Sequence, residues 1–169
     1  MEKLSSKVVV ADSSPMILFA RIDHFFVLNS IFEQVIIPIQ VAEECTFDYS
    51  RPGAKIIRNA IEKGTISVYE YDINDALFNL PKVLGKGEVA AIQLAYQLKS
   101  TLLIDDAWGR KAAENLKIPI IGTAGILLVA KNHGIISKVN PIIYRLKEVG
   151  FHLSTEITTK ILLLANELN

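Results

Sequence analysis

Cysteine is nearly missing from this sequence. A single Cys45 among 169 residues leaves no internal disulfide and no cysteine-based zinc cluster. Histidine is almost as scarce. His24, His133 and His152 lie far apart in the chain, which argues against a histidine-rich metal site. An excess charge of either sign is absent too, since 18 Lys and Arg balance 18 Asp and Glu. A dedicated nucleic-acid binder is usually basic, because Lys and Arg meet the phosphates. Taken alone, the balance argues mildly against such a partner. No long apolar run is present either. The longest uncharged one, Ile118 to Ala130, has 13 residues and is broken by Pro119, Gly122 and Gly125, short of the roughly 20 that cross a bilayer. The start, Met1 to Lys7, leads into only four apolar residues before Asp12, too few for a signal peptide. The expectation is a cytoplasmic chain with no membrane partner.

What the chain does have is an ordinary globular composition, 50% hydrophobic and 21% charged. Its length suits one domain, at roughly 100–200 residues each. Short β-branched runs alternate with amphipathic stretches, the mark of βα units on a parallel sheet. Strands are expected at Lys7–Ala11, Val35–Ile37, Thr65–Tyr69 (edge-like), Thr101–Ile104 and Ile118–Ile121. After the first strand, Ser13 or Ser14 suits an N-cap and Pro15 the first helical position. A short helix is expected over Phe25–Ile31, and others carry Val41, Ala42 and Cys45, then Ile56, Ile57, Ala60 and Ile61. Asp72 to Lys82 reads as one irregular helical turn. A strong helix opens at Gly85-Lys86-Gly87-Glu88, with Val89, Ile92, Ala95, Tyr96 and Leu98 as its apolar face. Helices over Ala107–Leu116, through Ile126–Ala130, over Asn140–Val149 and over Ser154–Leu168 complete the chain.

In open α/β sheets, ligands bind beyond the carboxyl ends of the strands, where the strand order reverses. The first strand delivers Asp12 to that end, and the fourth delivers Asp105 and Asp106. Glu43-Glu44 follow the second strand, and Glu88 opens the helix that feeds the fourth. If strands one and four are neighbours, four or five carboxylates converge. Each acid has an ordinary use as a helix cap or as a charge favoured in a first turn. Jointly they suggest more. A carboxylate cluster without His or Cys suits a hard cation such as Mg²⁺ or Mn²⁺, bound through a few carboxylates plus substrate phosphate. The matching reaction is metal-dependent phosphodiester hydrolysis.

Read in order, four segments carry a family likeness. They are Val8-Val9-Val10-Ala11-Asp12-Ser13-Ser14-Pro15, Val35-Ile36-Ile37-Pro38 with Val41-Ala42-Glu43-Glu44, Leu84-Gly85-Lys86-Gly87-Glu88-Val89-Ala90-Ala91, and Leu102-Leu103-Ile104-Asp105-Asp106 with Arg110. Together with Ile121-Gly122-Thr123 and the Gly150–Ser154 tail, they resemble a PIN-like domain, in an uncharacterised prokaryotic family related to VapC-type toxins. The resemblance implies a three-layer α/β/α fold with a parallel sheet of order 3-2-1-4-5. It also implies a single domain over 1–169, with its core at about 7–135 and C-terminal helices at about 139–168. The implied activity is an Mg²⁺- or Mn²⁺-dependent endoribonuclease, the toxin of a toxin–antitoxin pair. RNA, a cognate antitoxin protein and a second copy of the chain would be its partners.

Carried onto this sequence, the resemblance makes Asp12, Glu44, Glu88, Asp105 and Asp106 catalytic, with Asp12, Glu88, Asp105 and Asp106 on the metal. Two departures stand out. Glu88 replaces the Asp usual in VapC-type toxins, and Ile104 stands where their strand-four Thr would be. Weaker candidates for substrate contact are Ser13, Lys86, Arg110 and Thr123, although Ser13 and Thr123 equally suit helix caps. Trp108 could stack a base, or pack on a helix. Cys45 reads as core. The competing reading is a catalytically weak PIN-like module that binds RNA or protein. With several acids assigned to one cation-filled cleft, the zero net charge becomes an average over an acidic pocket and a mildly basic remainder.

Overall fold

The computed structural model describes residues 7–70, 72 and 78–168. Five parallel strands form one sheet: β1 (Val8–Ala11), β2 (Gln34–Pro38), β3 (Ile66–Tyr69), β4 (Thr101–Leu103) and β5 (Ile120–Ile121). Their order is β3-β2-β1-β4-β5, the one the resemblance implies. The reversal falls between β1 and β4, where Val10 pairs with Leu102 and Ala11 with Leu103. Val9, Val10 and Ala11 are fully buried. A parallel strand covered on both faces reads as an unbroken apolar run, and this explains why β1 shows no alternation.

Between and after the strands run α1 (Ser13–Arg21), α2 (Phe26–Ile31), α3 (Ile39–Thr46), α4 (Ala54–Glu62), α5 (Lys86–Leu98), α6 (Ala107–Asn115), α7 (Thr123–Asn132), α8 (Asn140–Glu148) and α9 (Thr155–Leu164). They flank the sheet in an α/β/α arrangement. Helix α5 packs on β1, β2 and β4, with α3 and α6 beside it, and α2 meets α7. Among the described residues, no helix is long and apolar enough to cross a membrane. The Met1–Ser6 start, read above for a signal peptide, lies outside the described residues.

Three local expectations are corrected. Helix α1 begins at Ser13, so Asp12 is its N-cap residue and Pro15 its third position rather than its first. Asp12 keeps an extended backbone (φ −80°, ψ 163°), and Pro15 is tolerated because early helical amides have no intrahelical acceptor. Tyr96 is not part of the buried face of α5. It is half exposed, while Gly87, Ala90, Ala91, Ile92, Gln93, Leu94 and Ala95 are buried, because α5 is covered by the sheet and by helices on its flanks. The turn of helix expected between Asp72 and Lys82 lies partly outside the described residues. Where described, Phe78 to Lys82 is not helical, and the chain turns where the Leu84 amide donates to Pro81 O.

Candidate functional site

The carboxyl end of β1 places Asp12 against β4, with the Asp12 amide donating to Leu103 O at 2.9 Å. Its side chain is in an unusual position. Asp12 is 1% exposed, and neither carboxyl oxygen has a hydrogen-bond partner among the described residues. An N-cap aspartate ordinarily accepts from the amides of the first turn, and Asp12 makes no such bond. Burial pushes its pKa from the ordinary 3.8 up to about 7. The Ser13 and Ser14 amides lie near enough to oppose that rise, while the charges of Glu88 and Glu44 add to it.

Three other acids stand at the same end of the sheet, and each is turned by one oxygen onto a backbone amide. Glu44, on α3, accepts from the Gly87 amide of α5 at 3.0 Å. Glu88 Oε2 reaches back one turn to the Gly85 amide at 2.8 Å, the side-chain half of a capping box. Asp106 Oδ1 caps α6 by accepting from the Gly109 amide at 2.7 Å. These carboxylates share one field. Burial raises the pKa of Glu88, and the charges of Asp106 and Glu44 raise it further. The sheet order thus gathers Asp12, Glu44, Glu88 and Asp106 at one end of the fold.

Asp105 is arranged differently. Both its oxygens are engaged by Thr123, one accepting from the amide at 2.8 Å and the other from the hydroxyl at 2.6 Å. It therefore closes the N-terminus of α7 from a distance. Burial raises its pKa, while the Thr123 bonds and the Arg110 charge act against the rise. Arg110 Nη1 donates to Ile104 O at 3.1 Å. A side chain at Gly122 would stand 2.8 Å from Arg110 Nη1 and 2.9 Å from Asp105 Oδ1, so glycine lets the pair close there. Thr123 is fully buried, Ser13 is half-buried in the first turn of α1, and Lys86 is exposed at the start of α5. Glu43, the neighbour of Glu44, lines a groove of about 750 Å³ with Gln40, Lys82, Leu84, Lys86 and Val89.

Two residues gain a meaning that the sequence reading missed. A Cβ at Gly87 would lie 2.5 Å from Glu44 Oε1, so the amide can hold Glu44 only because residue 87 has no side chain. The signal was present as a glycine in a helix's first turn, where it weakens the helix. Cys45 adjoins the same site. Burial first, and then the charges of Asp12 and Glu44, push its thiol up to about 12, which leaves it unreactive.

Among the described residues, no three Asp, Glu, His or Cys side chains close tightly enough around one point to hold a metal ion. The donor set is nevertheless all oxygen, and a buried carboxylate with no partner costs several kcal/mol unless it is protonated or meets a cation. In the chemistry of their donors, the all-oxygen set of Asp12, Glu44, Glu88 and Asp106 fits a hard divalent ion.

A five-stranded parallel sheet of order β3-β2-β1-β4-β5 between helices, with acids beside its switch point, defines a three-layer α/β/α fold with a candidate acidic site. The chain matches the PIN domain family over residues 8–167 and belongs to it. PIN domains are generally nucleases, which places the chain among the hydrolases. No curated protein matches the sequence. Among solved structures, a domain of a functionally unknown protein from Methanocaldococcus jannaschii DSM 2661 is similar, with 21% identity and a TM-score of 0.48, over 69% of this chain and 91% of that one.

Proposed function

We propose that this chain is a metal-dependent endoribonuclease, the toxin component of a toxin–antitoxin pair acting in the cytoplasm. The observation that carries the reading is the buried Asp12 carboxylate, without a partner at the end of β1 and within the field of Glu44 and Glu88. The resemblance puts Asp105 rather than Glu44 on the metal; because both Asp105 oxygens accept from Thr123, the set proposed to hold Mg²⁺ or Mn²⁺ is instead Asp12, Glu44, Glu88 and Asp106. Bound there, the ion would supply an acidified water and charge compensation for the leaving oxygen of a phosphodiester. The chain's own part is orientation. The amides of Gly87, Gly85 and Gly109 fix Glu44, Glu88 and Asp106, each through one oxygen. Asp105, bound to Thr123 and beside Arg110, sets the turn after β4 from which Asp106 projects. Lys86, at the start of α5, and Arg110, on α6, would meet the incoming phosphate, and Ser13 follows Asp12 in the chain.

Cleavage of single-stranded RNA with Mg²⁺ or Mn²⁺ tests this directly. Wild-type chain should cut, EDTA should stop it, and Asp12→Asn should lower the rate by more than about a hundredfold, since even residues behind a metal ligand cost 10–100-fold. Cleavage that survives both EDTA and Asp12→Asn would sink the proposal. A second reading, a catalytically weak module that binds RNA or protein, is favoured by the absence of a closed acid cluster among the described residues. A wild-type chain that neither cuts nor shifts its melting point with Mn²⁺ would select it. A homodimer is part of the first reading. Ile157, Leu164 and Leu168 remain about half exposed while Ile161 docks inward, and sedimentation of the chain checks whether a second copy covers them.

A further inference from the structure

The first turn of α6 holds the one tryptophan of the sequence. Trp108 stands two residues beyond Asp106 and is 56% exposed, although indole rings are highly buried on average. Lys111 and Asn115 follow at spacings of three and four, so the three side chains share one face of α6. Facing them is Asn79-Leu80-Pro81, in the segment that leads to α5, and the two walls enclose a groove of about 270 Å³. Its lining contains a single formal charge, the Lys111 ammonium, and two carboxamides, Asn79 and Asn115, but no acid. The larger groove on the other side of the same segment differs, because Glu43 and Asp72 there offset Lys82 and Lys86.

Each element of the smaller groove answers one part of an unpaired nucleotide. An exposed aromatic face stacks a base whatever its identity. Carboxamides offer both donor and acceptor to a base edge. An unopposed ammonium meets a phosphate. The space is too small for a helix, which is about 10–12 Å across, and the mainly apolar lining beside Trp108, with Leu80, Pro81 and Leu116, suits the flat face of a base. Trp108 brings this lining to the first turn of α6, two residues from Asp106.

We propose that this groove is a base-binding subsite holding one unpaired nucleotide of single-stranded RNA. Trp108 stacks the base, Asn79 and Asn115 hold its edge, and Lys111 takes the adjoining phosphate. The strand then continues past the N-terminus of α6 toward the acids. That this strand is the substrate rests on the nuclease reading; the groove itself rests on its own lining.

Because Trp108 is the only indole, its fluorescence reports on the subsite alone. Full-length Asp12→Asn chain is titrated with a short single-stranded oligoribonucleotide, in Mg²⁺ and in EDTA, while the anisotropy of a labelled copy measures total binding. Saturable quenching of Trp108 by the single strand, and not by its duplex, is expected. In the same background, Trp108→Ala should weaken binding about tenfold and Trp108→Phe should restore most of it. Lys111→Ala should reduce the slope of log affinity against log salt by roughly 0.7. Absence of quenching in both buffers, equal binding of duplex, or unchanged affinity in Trp108→Ala would each overturn the subsite. The two proposals fail separately. RNA cleavage by wild type with Trp108 insensitive to bound strand removes the subsite and keeps the nuclease. Quenching without cleavage in either metal removes the nuclease and keeps the subsite.

Discussion

Asp12 and Glu167 are both acids at the start of a helix, and the chain treats them in opposite ways. Glu167, in the tail beyond α9, accepts from the Val139 amide at 2.7 Å, the Asn140 amide at 2.9 Å and Lys131 Nζ at 2.6 Å. Lys131 also donates to Ala165 O. One carboxylate thereby ties the tail to the end of α7 and caps α8. Burial pushes the pKa of Glu167 up, but the Lys131 bond and the two amides more than reverse it, and the group lies below its ordinary value. At Asp12 the burial is deeper and outweighs what the Ser13 and Ser14 amides offer, and the pKa rises to about 7. An acid that serves the fold is matched inside the fold. The Asp12 carboxylate is not so matched, and on this contrast the proposed site rests.

The largest expected effect tests the bare acid. Asp12 binds its proton more tightly folded than unfolded, so its contribution to the metal-free protein is most favourable below about pH 4 and declines as pH rises to about 7. By linkage the loss reaches up to about 4 kcal/mol and then stays constant. Urea unfolding of wild type and Asp12→Asn in EDTA measures it: the variant should be the more stable at pH 8, and the two should converge near pH 4. Added Mn²⁺ should narrow the gap at pH 8 by stabilising only the wild type. A gap independent of pH would break the contrast.

Glu167 comes next, with the opposite sign. Its contribution is present above the ordinary glutamate pKa of 4.5 and is lost as pH falls through its lower folded value. Glu167→Ala leaves Lys131 and two amides without their acceptor and should cost about 2–3 kcal/mol by denaturant unfolding, while RNA cleavage per folded molecule stays at the wild-type level. A parallel loss of cleavage would place the tail in the site.

The smallest effect sharpens the boundary between the two classes, on which Asp105 stands. Thr123→Ala removes one hydroxyl bond to Asp105 and should cost about 1 kcal/mol. Asp105→Asn should resemble it, and a double-mutant cycle should show the two changes to be non-additive. Cleavage should fall only a few-fold. If Asp105→Asn abolished cleavage without destabilising the chain, Asp105 would belong with Asp12 rather than with Glu167.

Much of this was legible in the residues. The Lys7–Ala11 run read as a strand ending at Asp12, and its pairing with β4 put Asp12 and Asp106 at the same end of the sheet. Other features depended on contacts that local pattern does not carry. Asp12, Ser13 and Ser14 all suited the cap by local preference, and the extended backbone at Asp12, continuing from β1, decided among them. Tyr96 fitted a helical stripe, yet the flanking helices decided which side of α5 was covered. Gly87 could not be linked to Glu44 in advance, since 43 residues separate them.

By itself, the sequence determined the element order, the scarcity of soft metal ligands and the supply of acids, because each follows from residue type and short-range periodicity. Only the tertiary structure decided what each acid does. Hydrogen-bond supply is a property of packed neighbours: Thr123 closes over Asp105, Lys131 and two amides over Glu167, and Asp12 is buried with its oxygens unmatched.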